Sequence, residues 1–447
     1  MASLCIRNMT TSVADKVQQQ KMRLKSRSVI RCVRSNSDPP TKTDPPEENE
    51  VRVSRLPLPI EDIALGYFMV TYAPTTSFDY LPGIWSTLAV GEIAMVATYA
   101  PALASLALES QHPELMTLAR SHYSKALTQT NKALRDPQRA VLDSTLLSVL
   151  LLAAFEGLAF HGRDSPQGWV AHIHGAATLL GLRGEQQLST ELGQKLFHHA
   201  SINIRTCCSQ QFTPVPAELS RLHARAATIL DPNTPRIRMG KLLDRMAALR
   251  ANMRGMQATK VVREALYLDR EASDLLNKMK RLSFKVVTAA ESPVKAYTYK
   301  GYIYQYNSQD AARYWNVMRM LRLFFNEWIF CAFQHDLRGV IVDRPEPGDP
   351  LYEDWDRLSI MAMVNGEKMI DDVLAGVPFS LELLEKPSRS ARFLTWPLAS
   401  IGSSELCPMS AKEFVINRLK ALGERHDLDQ ANEAATMLEE GGPIEDW

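Results

Sequence analysis

Cysteine is scarce and scattered. The chain holds six among 447 residues (Cys5, Cys32, Cys207, Cys208, Cys331 and Cys407), with no C-x-x-C pair. That spacing argues against a disulfide scaffold and fits a reducing intracellular setting. Cys207 and Cys208 are adjacent, which is poor geometry for bridging each other, so the cysteines read as packed thiols. An excess of one charge is also missing: 51 Lys+Arg stand against 50 Asp+Glu, a formal net charge of +1. A chain-wide polyanion-binding surface is therefore not indicated, although a local one survives such an average. The most apolar run, Leu146 to Phe155, lies between Asp143 and Glu156. It falls well short of the roughly 20 residues that cross a bilayer, so no membrane partner is expected. The first residues lack the apolar centre of a secretory signal. Residues 1–34 are rich in Arg, Lys, Ser and Thr, which leaves a mitochondrial transit segment as an alternative, weakened by poor helical amphipathicity.

Familiar chemistry is missing too. There is no G-x-G-x-x-G, no G-x-x-x-x-G-K-[ST] and no G-x-S-x-G, hence no standard phosphate cradle or nucleophile elbow. The ten histidines make no ligand set. His172 and His174 lie two apart and His198 and His199 one apart, so on a helix each pair points to different sides. Asp371-Asp372, in the run D-D-V-L-A, are too short a pattern for carboxylates three or four apart to share a Mg²⁺, and Glu353, Asp354 and Asp356 around Trp355 read as a solvated face. No cofactor, no metal and no catalytic residue is expected.

What remains is helical. Apolar residues make up 45% and charged residues 23%, enough apolar surface to offset chain entropy. From about Pro59 the apolar positions recur three and four apart. Helices are expected from Ile63 onward, over Ile84 to Leu108 with a break at Pro101, and along Leu115 to Leu127. Others should cover Asp143 to Phe160 as a buried helix, Thr190 to Cys207, 236–283 as one long charged pattern, Ala311 to Phe333, and Leu428 to Leu438. Ser165 reads as an N-cap with Pro166 as first helical residue, and Gly184 as a left-handed cap at the other end. Between them Trp169, Ile173, Ala176 and Leu180 share one face, with His172 flanking it as a hydrogen-bonded, partly buried residue. That placement predicts near-full burial of Trp169. Ser410 to Glu413 matches a capping box, with Gly423 closing its helix. The tyrosines of 291–307 are read as a loop, with a strand as the alternative.

Residues 1–50 differ from the rest. Over 1–34 eight basic side chains face the single acid Asp15, and the run Lys21, Arg23, Lys25, Arg27 alternates charge with apolar or small groups. Pro39-Pro40 and Pro45-Pro46 then sit among acids, the composition of an extended linker. The expected division is a disordered basic arm with a Pro-rich acidic linker at 1–50 and an α-helical body at 51–447. Lys21, Arg23, Lys25 and Arg27 are the candidate contacts for nucleic acid or an import receptor.

The stretch Asp143 to Gly184 carries a resemblance. Leu151 to Glu156 is followed by Trp169-Val170-Ala171-His172-Ile173-His174-Gly175-Ala176, then Leu179-Leu180 and Arg183-Gly184. This resembles the regulatory (middle homology) domain of fungal zinc-cluster transcription factors, with its Phe-Glu helix end, Trp-x-x-His-x-x-Gly-Ala pattern and Arg-Gly close. Tyr123, Ala126 and Leu127 resemble its preceding helix, and Thr395 to Gly402 with Phe414, Leu419 and Gly423 its closing segment. The resemblance spans roughly 60–440 and implies an all-α fold: a single large multi-helix domain with Phe155, Trp169, His172, Gly175 and Ala176 as core markers. Gly175 and Ala176 would permit close helix approach, with Phe155 and Leu151 facing them. The family also carries a six-cysteine binuclear zinc cluster near its N-terminus. Residues 1–60 here hold only Cys5 and Cys32, too few for two thiolate-held zinc ions.

The function so implied is that of a nuclear transcription regulator controlling a fungal metabolic, including secondary-metabolite, gene set. DNA would be reached weakly or through a partner regulator, with a protein partner or a homodimer. An interaction or ligand-sensing module that does not bind DNA is the alternative, and an all-helical enzyme the third reading.

Overall fold

The computed structural model describes residues 58–88, 92–159, 167–278, 283–288, 298–334, 339–382, 389–426 and 428–441. The arm at 1–50, with Lys21, Arg23, Lys25 and Arg27, lies outside the described residues, as do Ser165 and Pro166. The architecture is all-α. Ala- and Leu-rich segments with few β-branched runs form helices, because such side chains lose little rotamer freedom there.

The N-terminal half contains α1 (Ile60–Tyr67), α2 (Leu81–Ile84), α3 (Ile93–Ser110), α4 (Pro113–Leu134), α5 (Pro137–Ala140), α6 (Asp143–Ala159), α7 (Gln167–Arg183), α8 (Glu191–Gln210), α9 (Ala217–Ile229) and α10 (Pro235–Asn252). A single π-helical turn, Phe68–Tyr72, follows α1. Leu81, Leu103, Leu151, Ile173, Leu179 and Leu196 unite most of these elements in one apolar cluster. α6 is buried along nearly its whole length, from Ser144 to Leu158. α3 is long and apolar enough to cross a membrane by length and composition alone, and most of it packs inside this cluster.

The C-terminal half adds α11 (Ala258–Lys278), β1 (Phe284–Thr288), β2 (Tyr302–Tyr306), α12 (Gln309–Ala332), α13 (Trp355–Leu374), α14 (Val377–Glu382), α15 (Arg389–Gly402), α16 (Met409–His426) and α17 (Asp429–Glu440). α12 meets an apolar cluster on each of two sides, with Asn316, Arg319, Asn326 and Glu327 as buried polar residues along it. Met318, Leu321, Phe325 and Trp328 face one cluster with α10, α11 and α13. Met320 and Leu323 face a second with α15 to α17. A helix of that kind belongs inside a protein.

Several expectations change. α3 runs through Pro101 without a break and begins at Ile93, not Ile84. The pattern over 236–283 is two helices parted at Met253 to Gln257, where Gly255 takes φ +81°. That left-handed conformation favours glycine, and its N–H donates to Gly339 O at 2.8 Å. Of the tyrosine stretch, 298–301 is a turn, whereas Tyr302–Tyr306 is a strand that pairs antiparallel with Phe284–Thr288, Val286 opposite Tyr304. Tyr302, Tyr304, Tyr306 and Phe284 share one face of this hairpin, and Ile303 and Val287 lie on the other. Ser410 is no N-cap, since the helix already includes Met409, and its hydroxyl lies 3.2 Å from that of Tyr299. α16 continues past Gly423 to His426, and a Cβ there would fall 1.9 Å from Asn432 Oδ1. The glycine therefore serves the approach of α17, not termination. Gly184 does sit at the end of α7 with φ +55°.

Candidate functional site

The motif residues meet where α4, α6 and α7 touch. Tyr123 of α4 stacks on Phe155 of α6, ring centroids 4.5 Å apart. Its hydroxyl donates to Glu156 Oε1 in a short hydrogen bond and lies 2.9 Å from His172 Nε2 on α7. A phenol has one hydrogen, so with that hydrogen on Glu156 the Nε2–H tautomer of His172 completes the chain as donor. His172 is 1% exposed, and burial lowers its pKa to about 4, keeping the ring neutral. Burial also raises the Glu156 carboxyl above its ordinary range, against the lowering effect of the Tyr123 hydrogen bond. His172 Nδ1 is buried without a hydrogen-bond partner. Phe155, Ile173, Ala176 and Leu180 are buried around this chain, whereas Gly175 is half-buried.

Trp169 departs from its expected near-full burial: it is half-buried, packed against the core on one side. Its other side lines a cavity of about 430 Å³. A cavity of this size is in the range that takes small molecules. The apolar wall comes from α6 and α7 through Leu150, Ala154, Leu158 and Trp169. Thr75 and Thr76 enter from the turn after the π-helical segment, His199 and Asn203 from α8, and Arg313 from α12. None of the described lining residues is acidic.

The hydrogen-bond roles of the lining are constrained. Thr75 Oγ1 donates to Tyr72 O at 3.0 Å, Thr76 Oγ1 to Ala73 O at 3.2 Å, and Ser105 Oγ to Ala102 O at 2.8 Å. Each hydroxyl has then used its one hydrogen and can only accept from a guest. Arg313 donates from Nη1 to Thr75 O, tying α12 to the rim. His199 Nδ1 lies 3.0 Å from the Tyr80 hydroxyl, and burial lowers the imidazole pKa to about 3, with the nearby His198 adding to the effect. The cavity is therefore lined by a neutral imidazole, hydroxyls, the amides of Asn203 and Gln430 and a guanidinium. That set is suited to holding a largely apolar molecule with polar groups at one end, and it contains no activated nucleophile.

Sequence reasoning placed Trp169 and His199 on their helices but not on a shared cavity. Thr75, Thr76 and Arg313 carry no pattern that would have found them, because they come together only through packing between distant segments. Metal chemistry has no home among the described residues, where no three of His, Cys, Asp and Glu gather in a metal-holding group. Cys207, Cys208 and Cys331 are buried, and burial pushes Cys207 and Cys407 up to about 12, protonated and unreactive. These thiols do not fit a binuclear zinc cluster, and Cys5 and Cys32 lie outside the described residues.

Residues 87–211 match the family model of the Fungal specific transcription factor domain. The match begins in the turn before α3 and ends just beyond α8, enclosing Tyr123, Glu156, Trp169 and His172. The resemblance carried by residues 143–184 thus holds for this segment. No curated protein and no solved structure matches the chain.

Proposed function

We propose that the chain is a nuclear transcription regulator of a fungal metabolic gene set, secondary-metabolite genes included, and that it is not an enzyme. The observation that carries this reading is the match of residues 87–211 to a transcription-factor domain, coincident with the helices that build the Tyr123–Glu156–His172 chain. In this reading residues 1–50 form the arm and 51–447 the regulatory body. Lys21, Arg23, Lys25 and Arg27 contact phosphates or an import receptor, and specific sites on DNA are reached through a partner regulator. Deleting the gene and profiling transcripts tests it. Coordinated change in a cluster of metabolic genes, with a fluorescent fusion in the nucleus, is the expected result; an unchanged profile or a fusion excluded from the nucleus overturns it.

A second reading, ligand sensing without DNA binding, is favoured by the cavity beside Trp169. It calls for stabilisation of the purified chain by largely apolar small molecules, lost in Trp169→Ala. The two readings separate on DNA: a sensing module shows no salt-dependent affinity for it.

A further inference from the structure

α13 is covered on one side only. Trp355, Leu358, Ala362, Met369 and Ile370 are buried against neighbouring elements. On the opposite side Ile360, Met361 and Val364 are 61, 52 and 57% exposed, with Met363 beside them. A surface helix ordinarily turns polar side chains to water on that face. Here charges appear only at the two flanks, Asp356 and Arg357 before the apolar group and Glu367 and Lys368 after it.

The spacing of this face is self-complementary. Consider a second copy of α13 laid antiparallel on the first, related by a two-fold axis at the level of Ala362. Each residue then stands level with the one equally far on the other side of Ala362. Ile360 meets Val364 of the second copy, Arg357 meets Glu367, and Asp356 meets Lys368. At 3.6 residues per turn, Ile360, Val364, Arg357 and Glu367 all lie within about 40° of the direction opposite Ala362. Both flanking pairs join opposite charges, whereas like charges at those positions would repel such a partner. Asp371, the next residue along this face, is already paired with Lys300 at 2.7 Å. Asp356 touches Arg344 at 3.0 Å, so Arg357 with Glu367 is the ion pair that assembly would add.

We propose that the outer face of α13 is an isologous interface through which two copies of this chain dimerise, their α13 helices crossing antiparallel about Ala362. An isologous contact uses one patch twice, which is why a single helix can supply both halves of each charge pair. One helix on one helix is a small interface, so the dimer is reversible and concentration-dependent. The proposal stands on this helix face alone, and its failure leaves the regulator reading untouched.

Sedimentation velocity on the full chain across the micromolar range tests it. The wild type should pass from monomer to twice that mass as concentration rises. Arg357→Glu and Glu367→Arg, each setting like charges together, should both stay monomeric with unchanged melting, and Val364→Asp likewise. Mixing the two charge variants should restore the dimer, because each mixed pair again opposes an acid and a base. The double variant R357E/E367R should dimerise alone. A wild type monomeric throughout, single variants that dimerise as it does, or a mixture that stays monomeric overturns the proposal.

Discussion

Tyr123 accepts a hydrogen bond from His172 Nε2 at 2.9 Å, and this contact fastens α4 to α7 inside the segment that matches a transcription-factor domain. The same hydroxyl donates to Glu156. One side chain thus satisfies a buried imidazole and a partly buried carboxylate, both of which would otherwise be desolvated without compensation.

Tyr123→Phe keeps the ring stacked on Phe155 and removes only the oxygen. Glu156 loses its donor and His172 Nε2 its acceptor, so the variant should lose about 1–3 kcal/mol in urea unfolding, as expected when a buried polar group loses its partner. Stability equal to wild type would remove the bridge from the account of this fold.

Acid should weaken the body before its carboxylates titrate. His172 and His199 have folded pKa values near 4 and 3, below the ordinary 6.5. Their stabilising contribution is complete above pH 6.5 and is lost as pH falls towards those values, because the unfolded chain takes protons that the fold refuses. By pH 5 each costs roughly 2 kcal/mol. Glu156, raised by burial beside Tyr123 and His172, opposes this by taking up a proton in the fold. Tyr80, which faces His199, stays protonated because burial raises its pKa. Urea midpoints at pH 7 and pH 5 should fall accordingly, and His199→Gln should flatten the dependence.

Trp169→Ala should cost about 3 kcal/mol or less, the lower end for a large aromatic, since one side of the indole already faces the cavity. Thermal or urea unfolding reads the loss. A cost well above that would mean that the cavity side of the indole is packed.

Arg319 is 2% exposed, with its guanidinium carbon 4.8 Å from the Tyr304 ring centroid and 4.9 Å from that of Trp315. Its Nε lies 3.9 Å from Asp372 Oδ2, and it also donates to the Tyr306 hydroxyl. Arg319→Ala leaves Asp372 without its cation and empties an aromatic cage. It should cost about 3–5 kcal/mol and release the β1–β2 hairpin from α12, detectable as faster amide exchange in Tyr302–Tyr306.

For the arm, replacing Lys21, Arg23, Lys25 and Arg27 with Ala should flatten the salt dependence of any DNA affinity without changing the melting of the helical body. Each phosphate contact adds roughly −0.9 to the log–log slope on duplex DNA. A slope unchanged by the four substitutions would place the contacts elsewhere.

The sequence by itself determined the helical character and the resemblance carried by residues 143–184, inside the segment that matches a transcription-factor domain. Three-and-four spacing is a local property, and Trp169, Ile173, Ala176 and Leu180 lie on one helical face whatever the rest of the chain does. It also offered His172 as a hydrogen-bonded neighbour of that stripe. Local rules failed where a distant partner decides. Pro101 stays inside α3 and Gly423 inside α16 because packing outweighs their cost in a helix interior, about 3 kcal/mol for proline and about 1 kcal/mol for glycine. Tyr302–Tyr306 became a strand because Phe284–Thr288 lies beside it. Only the tertiary structure brought Thr75, Trp169, His199 and Arg313 round one cavity and left Ile360, Met361 and Val364 in water. The physical reason is that a side chain's chemistry is fixed by its type, whereas its burial and its partners depend on segments far away in sequence.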